Sequence, residues 1–267
     1  PLTDSEYYIF HASHETNSQY HFLELNGVTQ TVDAVPSALE TDGSVQIGAS
    51  WDDSDPFNGN ISELVQFRKS LNQAQEIIVN NYLAAKYNIS PGTNDYYAWT
   101  NSFHYDVAGI GRVDANNTHT KAESAGILAI SGANSLDDDE FLLFGHDNGD
   151  FNTWSSVNVP VGDTNIVRLD RIWRVDIEGD PGTVSVSMEK AALPTLPAGF
   201  IAYNIYIDAD GDFSSGASAF GPFEIGAELI INNISLNDGD YLAVAAVRPM
   251  LSFVSNVSED LESVSNP

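Results

Sequence analysis

The stretch from Phe57 to Ile89, FNGNISELVQFRKSLNQAQEIIVNNYLAAKYNI, constrains the fold more than any other part of the chain. Ile61, Leu64, Val65 and Phe67 are strand formers, introduced by the turn pair Asn58–Gly59. Asn72 stands three residues before Gln75, so each side chain can satisfy the other's orphan backbone N–H and a helix is expected over 73–87. Its residues are good helix formers, and Ala74, Ile77, Ile78, Tyr82 and Ala85 fall on one apolar face. Asn88 suits a left-handed cap, and Ser90-Pro91-Gly92 forbids continuation. A strand, a capped helix and a stop in this order read as the close of a domain.

That stretch resembles a known pattern. Phe57, Gly59, Ile61, Glu63, Leu64 and Phe67, then Leu71, Ala74, Tyr82, Leu83, Ala84, Lys86, Tyr87 and Ile89, are similar to the last strand and helix of laminin-G-like jelly rolls. These belong to the concanavalin-A-like sandwich group, found in large secreted proteins of the Bacteroidota. Residues 1–56 fit preceding strands at Tyr7–Phe10, Tyr20–Gly27 and Val45–Gly48, with Asn26–Gly27 a hairpin signal. Such jelly rolls run to roughly 150–200 residues, an ordinary domain size. The resemblance therefore implies that residues 1–92 are the C-terminal part of one. Its first strands are expected from outside this sequence or from another chain.

Composition narrows the function classes. The 38 acidic and 10 basic residues give a formal net charge of −28, which repels nucleic acid and anionic membranes. Residues 1–90 carry 12 acids and 3 bases, residues 91–248 carry 23 and 7, and the tail 3 and none, so the acidity is a solvated surface, not an acidic tail. The chain has no cysteine, which removes disulfides and thiolate metal sites and suits a bacterial surface protein. No apolar run approaches the ~20 residues needed to cross a bilayer, and membrane insertion is not expected.

From residue 93 to 248 the pattern is all-β. Strands are expected at His104–Arg112, Gly126–Ser131, Glu140–His146, Val167–Ile177, Thr183–Glu189, Ala202–Asp208, Phe223–Ile231 and Tyr241–Val247, spaced as in a sandwich. In the longest, Val167, Leu169, Trp173, Val175 and Ile177 share a core face, with Trp173 a core residue. Arg168, Asp170, Arg174 and Asp176 make a charged outer face. HYDVAGIGR, EFLLFGHDNGD, RLDRIWRV and the sequence from Asp208 to Tyr241 resemble a β-sandwich module of uncharacterised function. It follows laminin-G-like domains in adhesin-like Bacteroidota proteins exported by the type IX system. The resemblance implies a context and no chemistry.

The best candidate for chemistry is Asp208-Ala-Asp210-Gly-Asp212, three carboxylates at alternate positions round a glycine turn. Ca²⁺ takes six to eight oxygens, and such a loop can supply several. The closing Glu of an EF-hand is missing, since Ala219 stands at position 12, and the competing reading is an Asp-rich hairpin turn. Asp52, Asp53 and Asp55 form a second acidic loop at the jelly-roll edge, also assigned to Ca²⁺. Asp137 to Glu140 is a third acidic run, read first as a solvated loop. No paired-acid glycosidase string, H-E-x-x-H, G-x-S-x-G or P-loop occurs. Gly109–Ile110–Gly111 marks close packing, and His146 reads as a hydrogen-bonded edge histidine.

The expected molecule is thus all-β: a partial jelly roll over 1–92 ending in helix 73–87, a sandwich over 93–248, and a tail over 249–267 that is a linker or an exchanged strand. Leu251, Phe253 and Val257 give that tail partial alternation. The expected role is non-catalytic: adhesion or architecture on a bacterial surface, calcium-stabilised and contacting an extracellular glycan or surface protein. Two alternatives stand beside it. One is a filament subunit whose tail completes the next copy's sheet; the other is an accessory binding module of a polysaccharide-degrading enzyme.

Overall fold

The computed structural model describes residues 6–14, 20–34, 47–49, 56–160, 163–224 and 226–249. Its helix α1 (Gln73–Tyr87) starts where the local chemistry dictates: Asn72 accepts from the Gln75 N–H at 3.0 Å and Gln75 accepts from the Asn72 N–H at 3.1 Å. It stops at Asn88, whose φ of 54° turns the chain left-handed while its N–H bonds back to Ala84.

Before α1 lie β1 (Phe10–His14), β2 (Tyr20–Leu25) and β3 (Val28–Ala34), a three-stranded antiparallel sheet with the Asn26–Gly27 turn between its last two strands. After α1 come β4 (Tyr105–Asp114), β5 (Asn117–His119), β6 (Lys121–Ser124), β7 (Leu128–Ser131), β8 (Glu140–His146) and β9 (Trp154–Ser155). The remaining strands are β10 (Ile166–Glu178), β11 (Thr183–Glu189), β12 (Ala202–Asp208), β13 (Ser218–Phe223), β14 (Glu228–Ser235) and β15 (Tyr241–Val247). They form a central sheet in the order β13-β12-β15-β10-β8-β4-β5, with β9 beside β10, and a second sheet in the order β14-β11-β7-β6. The protein is an antiparallel β sandwich with one helix, the all-β class that its turn spacing predicts.

The side-chain period of two explains how the central sheet is covered on both sides. In β8, Leu142 and Phe144 face the second sheet and join Ile110, Trp173, Val175, Val186 and Leu242 in the main core. The alternate Phe141 and Leu143 face the other way and meet Ala74, Ile77, Ile78 and Ala85 of α1 together with Tyr97 and Val107. β15 alternates likewise, with Leu242 and Val244 inward and Ala243 and Ala245 under Phe213 and Tyr206. Small residues allow the close approach: a Cβ on Gly111 would lie 2.1 Å from the Phe141 ring. Helix α1 therefore shares a core with β4 and β8, and a cut at residue 92 passes between the helix and the sheet on which it lies. Asn81, 1% exposed, fixes this joint by donating to the carbonyls of Ile77 and Asn94 and accepting from the Tyr96 N–H.

Several expectations need correcting. Ile61–Phe67 enters no ladder with any described strand. β1 starts at Phe10, after Tyr7–Ile9. The expected strand Phe223–Ile231 is broken: Gly226 has a φ of 95°, β13 ends before it and β14 begins at Glu228. The charged face of β10 is not an open solvated row: Arg168 is 8% exposed, Arg174 lies under Trp99, and Asp170, Arg174 and Asp176 are half-buried. Of the expected strand Val45–Gly48, Val45 and Gln46 lie outside the described residues and Ile47–Gly48 is a bend.

Candidate functional site

The segment that should have been a strand is the most exposed apolar part of the described chain. Phe57, Ile61, Leu64, Val65 and Phe67 are 53, 53, 60, 42 and 47% exposed. Strand-forming residues need a neighbouring strand to satisfy the backbone, and none of the described strands lies alongside. Among the described residues one carboxylate is the side-chain anchor of the segment, beside the backbone bond from the Phe57 N–H to the Gly48 carbonyl at 2.8 Å. Glu63 Oε1 accepts from the Tyr82 hydroxyl at 2.9 Å, and Oε2 accepts from the Tyr87 hydroxyl at 3.0 Å and pairs with Lys86 Nζ at 2.8 Å. Lys86 Nζ also donates to the Tyr82 hydroxyl at 2.8 Å. Partial burial pushes the Glu63 carboxyl up, but the hydrogen bonds from Lys86, Tyr82 and Tyr87 outweigh it and hold the group below its usual range. The same contact, with Glu63 foremost, raises the Lys86 ammonium.

Below the clamp the segment roofs a groove of about 330 Å³ between α1 and the central sheet. Val65 and Phe67 form one wall, Ile78 and Tyr82 another, with His119 and Lys121 at the sheet side. Exposed Arg68 and Lys69 follow the segment directly, so with Lys121 three of the chain's 10 basic residues border this apolar strip.

The predicted calcium ligands are placed differently. Asp208 accepts from the N–H groups of Asp210 and Gly211 at 2.9 and 2.7 Å, Asp210 from that of Asp212 at 2.8 Å, and Asp212 from the Ser214 N–H and hydroxyl at 3.1 and 2.6 Å. Each carboxylate folds the turn that follows it, a ladder of Asx turns. Asp52, Asp53 and Asp55 lie outside the described residues. In the third acidic run, Glu140 accepts from the N–H groups of Asp137 and Asp180, and Asp138 pairs with Arg112 at 2.8 Å. Among the described residues no group of three or more metal-ligating side chains converges.

Two constellations are only partly legible in the sequence, where His146 reads as hydrogen-bonded but its partner Asp106 does not stand out. His146 is 1% exposed, at the end of an interior strand and not at an edge. Its Nδ1 accepts from the Asn148 N–H, so Nε2 carries the proton and donates to Asp106 at 2.8 Å. Burial lowers the imidazole, keeping it neutral, and the rings of Tyr105 and Trp173 pack against it. The pair closes the start of β4 onto β8. The second constellation centres on Arg174, whose guanidinium carbon sits 3.2 Å from the Trp99 ring centroid and 4.5 Å from that of Tyr241. Beside it Asp176 accepts from the Ala98 N–H at 2.6 Å, with the Asp238 carboxylate as a like-charged neighbour. Burial, with the Asp238 charge adding to it, pushes Asp176 up to about 6. These groups seal residues 98–104 over the outer face of the central sheet. The only signal in the sequence was the pairing of Arg174 with Asp176 on a face that lacked apolar residues.

No described helix is long and apolar enough to cross a membrane. Neither the curated proteins nor the solved structures contain a significant match to this chain. A family model does match: a domain of unknown function, DUF8202, over residues 75–240, more than half of the 267. The match runs from the first turn of α1 to the loop before β15 and so covers the helix together with most of the sandwich, leaving the segment 56–67 and its clamp residue Glu63 outside. The chain belongs to the DUF8202 domain family.

Proposed function

We propose that this protein is a non-catalytic module of adhesion or architecture on a bacterial surface, and that it engages a protein partner along the strip 57–67. The observation that carries the reading is the strip itself: large apolar side chains up to 60% exposed on a backbone without a ladder partner among the described residues. Unpaired strand backbone recruits further strands, and a contiguous apolar patch bordered by charge marks an interaction surface. Secretion and a cell-surface location are supported by the resemblance of the sequence to adhesin-like proteins and by the absence of cysteine. Calcium belongs to this reading as a stiffener of the turn at Asp208, Asp210 and Asp212. Contact with a glycan is a smaller part of it, because Trp173, the most conspicuous aromatic of the sandwich, is fully buried.

The test compares the full chain with its Ile61→Asp, Leu64→Asp double variant for retention on surface extracts of the producing cells. Both residues are more than half exposed, so the variant keeps its fold, which circular dichroism verifies. At least a tenfold loss of retention is expected. Equal retention of the two chains overturns the reading, and retention lost on a glycan array but not on protein extracts replaces a protein partner by a carbohydrate.

A further inference from the structure

We propose that the partner of the strip is a second copy of this chain, which supplies residues 251–257 as a strand parallel to residues 61–67. The inference rests on the reading of the strip as an interaction site and names its occupant. Three observations carry it. First, one register matches both sequences: with Leu251 beside Ile61, Val254 falls beside Leu64 and Val257 beside Phe67, three apolar pairs along seven residues. Second, the same register carries charge complementarity. The strip runs into Arg68 and Lys69, and residues 251–257 run into Glu259 and Asp260, so the parallel sense brings acids alongside bases while the antiparallel sense does not. In a chain of net charge −28 the other surfaces repel a second copy, and this border is where three of its 10 bases collect.

Third, the described geometry disfavours the chain's own segment as donor. β15 ends at Val247, and β10 and β8 separate it from β4, the strand on which α1 packs and which shares a groove with the strip. Three inter-strand steps are about 14 Å, and the steps along β15 from Tyr241 to Val247 carry that end a further ~20 Å along the strand direction. Residues 248–250 reach at most ~10 Å. The contact is then heterologous, one copy's donor on the next copy's acceptor, and it propagates into a linear assembly.

Sedimentation velocity on three full-length chains decides this. The acceptor variant carries Ile61→Asp and Leu64→Asp; the donor variant carries Leu251→Asp and Val254→Asp. The unsubstituted chain is expected to form concentration-dependent oligomers, each variant alone a monomer, and the mixture a 1:1 dimer that grows no further, because only one productive contact is left. Lys69→Glu weakens assembly at least tenfold, and Glu259→Lys in the same chain restores it. A monomeric unsubstituted chain, or a mixture without dimer, overturns the proposal; so does a synthetic 250–262 peptide that binds the donor variant while the unsubstituted chain stays monomeric, since the segment then folds back on its own chain. If the acceptor variant loses surface retention but the donor variant keeps it, this inference fails while the function proposed for the strip stands.

Discussion

β8 and the strip 61–67 are written in the same apolar grammar, Phe141-Leu-Leu-Phe144 against Ile61, Leu64, Val65 and Phe67, and they end in opposite states. β8 lies between β4 and β10 with the sandwich core on one face and α1 on the other, and its four residues are fully buried. Among the described residues the strip has a helix on one side, a groove over the sheet beneath it, one carboxylate as its side-chain anchor and apolar side chains 42–60% exposed. Strand character is thus conferred by neighbours and not by residues, which is why β propensity transfers so poorly between positions.

The contrast breaks first on truncation. Phe144→Ala is expected to cost about 3–5 kcal/mol through lost transfer energy and a residual cavity, while Leu64→Ala stays within about 0.5 kcal/mol, both read by chemical denaturation. Comparable losses at the two positions would mean that the strip is buried in solution. Next in size is the clamp. Glu63→Ala strands three donors at once and should cost about 1–2 kcal/mol of local stability, seen as faster hydrogen exchange and proteolysis over residues 56–70 with β8 unaffected.

A third prediction separates the regions by pH. Asp176 is raised to about 6, so the folded state holds its proton more tightly than the unfolded chain does. The stability it contributes is fully present below about pH 4 and is lost as pH rises through about 6. Asp176→Asn should therefore stabilise the fold by about 1–2 kcal/mol at pH 8 and change nothing at pH 4. Glu63 runs the other way: its carboxyl is lowered, so the clamp is intact above the ordinary Glu range and fails as acid protonates it. Acid should tighten the cover over the sheet while loosening the strip, and exchange at both regions between pH 4 and 8 would detect a common trend instead. The smallest effect is calcium. Millimolar Ca²⁺ is expected to raise the melting temperature by a few degrees, reversed by EGTA, because the Asx turns at Asp208, Asp210 and Asp212 already use those oxygens. An unchanged melting temperature removes calcium from the reading.

Legibility followed the range of the interactions. The helix was readable to the residue, since Asn72, Gln75 and Asn88 act on atoms three or four positions away. β8, β11, β12 and β15 have the bounds that alternation predicts, as their turns are local too. The short β5, β6 and β9 carry too few residues for a period to register. The outer face of β10 misled because Arg174 and Asp176 resemble a solvated row, and only the tertiary fold brings Trp99 over them. Glu63 stood within a recognised pattern, yet its role required knowing that Tyr82, Lys86 and Tyr87 converge on it.

That convergence has a mechanical side. Three donors from little more than one helical turn grip the two oxygens of one residue, so a pull along the strip loads them together and not in sequence. The joint should yield as a single event, at a force set by Glu63, and pass the tension into the long axis of α1 before any sheet feels it.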